Sequence, residues 1–200
     1  MGFPFLTVFL VFVIFLAIRY RSITKNQQRH IDDYWARDER SNHIPAKDLS
    51  LIEYLTIPSD AIPYHVLSDS EVASIEDALQ ELSTHKLLNL NGMDNAAIKE
   101  TYGTANFETM LHFAEEFDQF QMLLVDYAKA LMEHDCIPQA TQVLEFGVSI
   151  GSDISSNYTL LGDCYQRANT PEKIRDLKEK LQQLHLLLEP SILTYLDSLQ

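Results

Sequence analysis

Few residues in this 200-residue chain stand at spacings that could do chemistry. His112, Glu115 and Glu116 fall at i, i+3 and i+4, which on a helix lets an imidazole and carboxylates share a metal, as a metal-dependent hydrolase would need. One histidine and two carboxylates leave that site incomplete, because no HExxH and no second Glu-x-x-His helix accompanies them. The three residues are therefore expected to form a solvated acidic face. His134, Asp135 and Cys136 adjoin at a predicted helix end, where His134 meets the negative pole of the helix dipole and capping is the expected role. The six glycines are scattered, so neither GxxxxGK[ST], GxGxxG nor GxSxG occurs. Cys136 and Cys164 form no CxxC pair, and they read as small reduced side chains. No catalytic residue, cofactor or metal is predicted, and the chain is not expected to be an enzyme.

Charge narrows the partners. The formal net charge is -14, and it is unevenly placed. Residues 19–40 hold six basic residues against four acidic ones, whereas from residue 41 onward nine basic residues face twenty-five acidic ones. A body that acidic repels phosphate backbones, so no nucleic-acid partner is expected. Between Glu100 and Gln166 there are eleven acidic residues and one basic residue, Lys129. Such a field would steer a protein partner with a basic segment.

The elements that must position these residues are predicted to be helical throughout. Residues 1–18 carry no charged side chain, and about 1.5 Å of rise per residue makes them just long enough to cross a bilayer core. They are expected to be a transmembrane anchor rather than a cleaved signal peptide, because a basic n-region and a small-x-small cleavage site are missing. Arg19, Arg21, Lys25 and Arg29 then place the N-terminus outside and the body in the cytoplasm. An extracytoplasmic body, assisting an envelope assembly, is the alternative. Residues 19–41 read as a solvated helical stalk whose Tyr34 and Trp35 can fold back on the body.

Residues 42–67, punctuated by Pro45, Pro58 and Pro63, read as an extended, packed arm with at most one short helix near 47–55. The region 68–120 is predicted to be helical. A helix starts after Ser68, which with Glu71 makes an S-x-x-E capping box. A short helix from Asp94 ends at Gly103, and another is capped by Asn106, with Phe107, Met110, Leu111, Ala114 and Phe117 on one face.

An internal echo follows. Leu124, Tyr127, Ala128 and Leu131 recur as Tyr158, Leu161, Gly162 and Tyr165, each displaced by 34 residues. Ala140, Leu144 and Gly147 lie in the following helix, which Pro138 opens and Gly151 closes. The counterparts in the second copy, Ile174, Lys178 and Leu181, depart from that pattern, although Thr170 and Pro171 still start a helix. These residues resemble the tetratricopeptide repeat (TPR) over about 65 positions, residues 121–185. The resemblance implies two helical hairpins over 121–188 with a capping helix over 189–200. The whole also resembles membrane-anchored bacterial proteins carrying a helical-repeat body.

If the TPR register holds, the first helix of each hairpin lines a concave groove. Met122, Val125, Lys129 and Met132 would line it from one hairpin, and Ser156, Thr159, Asp163 and Gln166 from the next. The groove lacks the Lys/Asn set with which some TPRs clamp a terminal carboxylate. The resulting expectation is an all-α chain with an N-terminal transmembrane helix, a proline-rich arm and a TPR-like solenoid, acting as a membrane-tethered protein-interaction adaptor or scaffold.

Overall fold

The computed structural model describes residues 4–184 and 186–199. Among the described residues every regular element is helical and no strand forms. In chain order these are α1 (Pro4–Ser41), α2 (Ser70–Ser83), α3 (Asn95–Tyr102), a 3-10 turn (Thr104–Asn106) and α4 (Phe107–Glu133). There follow α5 (Ile137–Ser149), α6 (Ser155–Arg167), α7 (Pro171–Leu184) and α8 (Glu189–Asp197). The chain divides into two compact units. One comprises the residues up to Asp48 with Met93–Phe107, and the other comprises Leu49–Gly92 with the residues from Glu108 onward.

The first unit corrects the expected anchor. No helix among the described residues is long and apolar enough to cross a membrane, so the transmembrane helix expected over residues 1–18 is not supported. Arg19 and Arg21 follow the apolar stretch, and α1 continues as polar helix to Ser41. Residues 1–3 of the expected anchor lie outside the described residues. Val8–Leu16 are 45–67% exposed, which leaves a large apolar surface on α1. Tyr34 and Trp35 are both exposed, and they stack edge to face on each other.

The far end of α1 is tied to α3 by a charge network. Arg37 forks onto Glu100, with Nε 3.1 Å from Oε1 and Nη2 2.7 Å from Oε2, and its Nη1 reaches Asp94 at 2.9 Å. A bidentate guanidinium–carboxylate pair fixes angle as well as distance. The hydrogen bond from Arg37 holds the Glu100 carboxyl below the usual carboxylate range. Gly103, at φ 88°, ends α3 where a Cβ would collide with the Pro45 carbonyl. Asn106, expected to cap a helix, instead donates its amide to the carbonyls of Lys47 and Tyr102.

In the second unit the proline-bearing segment straps the helices without forming one itself. The Leu55 N–H donates to the Leu87 carbonyl (2.9 Å), Gln142 donates to the Asp60 carbonyl (2.6 Å), and Ile62 is buried in the core. α2 starts one residue later than Ser68 would set it. Asp69 is the N-cap, accepting from the N–H groups of Glu71 (2.8 Å) and Val72 (3.2 Å). An aspartate caps as well as a serine and adds charge at the positive pole of the helix.

The helix expected after Asn106 and the first helix of the repeat are one continuous α4 of 27 residues, because nothing between Phe117 and Leu124 breaks it. α4 and α5 run antiparallel, with Phe120 and Phe146 edge to face at 6.4 Å. α6 packs on α5 at Gly147, where a Cβ would strike the Asn157 amide, itself fixed by donating to the Leu144 carbonyl at 3.0 Å. α7 returns along α6, and α8 packs on both, with Lys178 paired to Asp197. Leu124, Tyr127, Leu131, Leu144, Tyr158, Leu161, Ile174 and Leu181 meet in one core.

Candidate functional site

The eight residues predicted to line a groove do not come together as one surface. On α4, Val125 is 3% exposed and belongs to the core, Met132 is half-buried against it, and Met122 stands 51% exposed by itself. On α6 the expected opening is covered by α8. Tyr195 donates to Asp163 (2.7 Å), Gln166 donates to the Leu199 carbonyl (3.3 Å), and Leu196 and Leu199 fill the space that Gly162 leaves without a Cβ. Ser156 and Thr159 are half-buried beside them. The sequence signal for this cover is the pairing of a glycine on α6 with leucines four and seven residues after Ile192 on the last helix.

Lys129 is the member that does open onto a cleft. Between the first turn of α2 and the last two turns of α4 lies a space of about 310 Å³. Val72, Ile75 and Ala130 form its apolar lining, and Asp69, Glu71, Asp126 and Glu133 carry carboxylates onto it. Positions 126, 130 and 133 share one face because they follow the i, i+4, i+7 spacing of a helix. Lys129 is held to Asp126 at 2.9 Å, so its charge is already spoken for. His134 also lines the cleft, and its ring donates to the Ala130 carbonyl at 2.9 Å. Negative charge above an apolar floor suits a long cationic side chain, whose methylenes lie on the floor while its head meets the carboxylates.

The residues with metal-binding spacing are placed differently. Glu116 accepts from His85 Nδ1 at 2.7 Å and lies 3.6 Å from His112 Nε2, while Glu115 points to solvent. His85, 31 residues before Glu116, has no local motif to announce it. Among the described residues no three His, Cys, Asp or Glu side chains stand together as metal ligands. At the turn after α4, Asp135 takes φ 60° and Cys136 Sγ lies 3.6 Å from the His134 carbonyl, so this trio forms no side-chain dyad.

Two polar clusters went unseen in the sequence. Gln121, buried on α4, donates one amide N–H to Asp118 and the other to Asp153, both at 3.0 Å. Burial, then repulsion from Asp153, raises the Asp118 carboxyl above the usual aspartate range. A carboxyl raised by folding lends stability below its unfolded pKa and loses it as pH rises through the folded value. Asp118→Asn is therefore expected to raise the melting temperature at pH 7 by about 1–3 °C, and the gain should vanish below about pH 4, which thermal melts followed by circular dichroism at both pH values would read.

The second cluster is deeper. Glu76 on α2 is 3% exposed; its Oε1 accepts from Tyr127 Oη (2.7 Å) and from the His65 N–H (2.9 Å). Tyr127 Oη also lies 2.5 Å from the Pro63 carbonyl. Through one carboxylate and one phenol, the arm, α2 and α4 are joined. Burial first, then the neighbouring Glu76, pushes the Tyr127 phenol far above the ordinary tyrosine range, so it stays a donor. No known protein family, curated protein or solved structure matches this chain.

Proposed function

We propose that this chain is a protein-interaction module, an adaptor or scaffold without catalytic activity of its own, which holds a basic segment of a partner in the α2–α4 cleft. The observation that carries the reading is the cleft itself: Glu71 and Glu133 beside an apolar floor, with Asp69 capping α2 and Asp126 paired to Lys129, in a body whose stretch from Glu100 to Gln166 holds eleven acidic residues and one basic one. The TPR resemblance supports it further. The members of the 34-residue echo, Leu124, Tyr127, Ala128 and Leu131 with Tyr158, Leu161, Gly162 and Tyr165, are all buried, as the inner residues of stacked hairpins would be. Stacked helical hairpins commonly serve as binding surfaces.

The test is binding of a labelled Lys/Arg-rich peptide by fluorescence anisotropy. Double substitution Asp126→Lys with Glu133→Lys is expected to weaken binding at least about tenfold, and raising salt to about 0.5 M should weaken the parent similarly. Equal binding of a peptide with its basic residues changed to glutamine, or no effect of the double substitution, would contradict the reading.

A further inference from the structure

We propose that α1 pairs with α1 of a second copy of this chain, the two helices running parallel and in register along one apolar stripe. Phe9, Val13, Leu16, Tyr20, Ile23, Gln27, Ile31 and Tyr34 make the stripe, each following the last by four or three residues. At about 3.6 residues per turn that spacing keeps all eight on one side of the helix, and mixed gaps of three and four are those of a coiled-coil seam.

Within the chain the stripe is uncovered. Among the described residues, the hydrogen bonds and ion pairs from α1 to α3 begin at Arg37, beyond the last member of the stripe. The seven apolar members are 45–73% exposed, and Gln27 is exposed with them. Arg21, Lys25 and Arg29, at i, i+4 and i+8, stand across the helix from it. From Arg19 onward α1 is therefore two-sided, and the stripe is the side suited to leave water.

The stripe is complementary to itself. Phe9, Tyr20 and Tyr34 are aromatic side chains of about 200 Å² each, more than half exposed, and with the four aliphatic members they offer on the order of 500 Å² per helix. Two helices thus bury about 1,000 Å², the size at which specific interfaces begin. The direction follows from where charge lies. Val8–Leu16 hold no charged residue, whereas Arg19, Arg21, Lys25 and Arg29 follow. Parallel helices set apolar end on apolar end, while antiparallel ones would lay arginine against it. Gln27, the polar member, meets its own counterpart only in the parallel, in-register arrangement, where the two amides can bond each other. The cations on the far side then remain in water. Such a contact is isologous, so it closes at two copies.

Sedimentation velocity of the full chain tests this, with a disulfide crosslink as second readout. The parent is expected to form a dimer. Ile23→Lys with Tyr34→Lys should weaken it at least about tenfold, whereas Lys25→Glu with Arg29→Glu, on the far side, should change it less than about twofold. Circular dichroism of each variant checks that the helices persist. In a Cys136→Ser background, Gln27→Cys should crosslink under mild oxidation and Arg29→Cys should not. A monomeric parent, assemblies that the stripe lysines leave unchanged, or equal crosslinking at both positions would overturn the inference. So would a parent that floats with vesicles of phosphatidylcholine and phosphatidylglycerol while Gln27→Cys stays uncrosslinked, because lipid would then cover the stripe. The peptide assay of the α2–α4 cleft is a separate readout, so either proposal can fail without the other.

Discussion

Replacing Gly147 with valine is expected to lower the melting temperature by about 6–12 °C, the largest single effect on the second unit. The α5–α6 approach at this point leaves no room for a Cβ, which would land on the Asn157 side chain. Asn157 cannot easily move, because it is buried and donates to the Leu144 carbonyl at 3.0 Å. Forcing extra carbons into a packed site costs about 1–3 kcal/mol, and a β-branched residue recovers little of the helix propensity that alanine would. For a chain of this size about 3 kcal/mol corresponds to the shift stated. The steric origin can be isolated with a double-mutant cycle. Asn157→Ala alone loses one hydrogen bond, but combined with Gly147→Val it should cost clearly less than the sum of the two, as expected of side chains that collide. Strict additivity in thermal melts would show that the contact is not the cause.

Tyr127→Phe is expected to cost about 2 kcal/mol, a loss of about 4–8 °C, although it removes a single oxygen. That oxygen carries the one proton shared between the Glu76 carboxylate at 2.7 Å and the Pro63 carbonyl at 2.5 Å. Without it the buried Glu76 carboxylate keeps the His65 N–H but loses its phenol donor, and a hydrogen bond to a buried charged group is worth more than a neutral one. Glu76→Gln should cost less, since the amide oxygen still accepts from Tyr127 and from the His65 N–H. The pH dependence has a definite sign. Tyr127 and Tyr158 are both raised by burial, Tyr158 to about 12. A phenol whose pKa rises on folding stabilises fully below its unfolded pKa of about 10, and that stability declines as pH rises above it. Chemical denaturation at pH 8 and pH 11 should therefore show a weaker fold at the higher pH. The Tyr127→Phe chain should lose less between them than the parent.

Much of the helical layout could be read from local chemistry. Asp94 and Gly103 bracket α3 with side-chain and backbone preferences that act within a few residues, and the 34-residue echo marks positions that are all buried. What could not be read depends on distance in the chain. Whether Ser68 or Asp69 caps α2 is a contest between neighbours of similar capping strength. The fusion of two expected helices into α4 reflects the absence of a breaker, a weaker signal than its presence. The groove failed because its openness depended on α8, and a capping helix can sit on either side of the last hairpin; Gly162 admitted it on the α6 face. The pairing of Lys129 with Asp126 was visible at i, i+3, but the α2 wall of its cleft lies more than fifty residues earlier. The expected anchor is not supported, since no helix among the described residues is long and apolar enough to cross a membrane.

Methyl-resolved nuclear magnetic resonance of the chain titrated with a Lys/Arg-rich peptide tests the central claim most directly. The account predicts shifts concentrated on Val72, Ile75 and Ala130, saturating together and abolished by Asp126→Lys with Glu133→Lys. Unmoved methyls there, with shifts at Met122 or Thr159 instead, would contradict it.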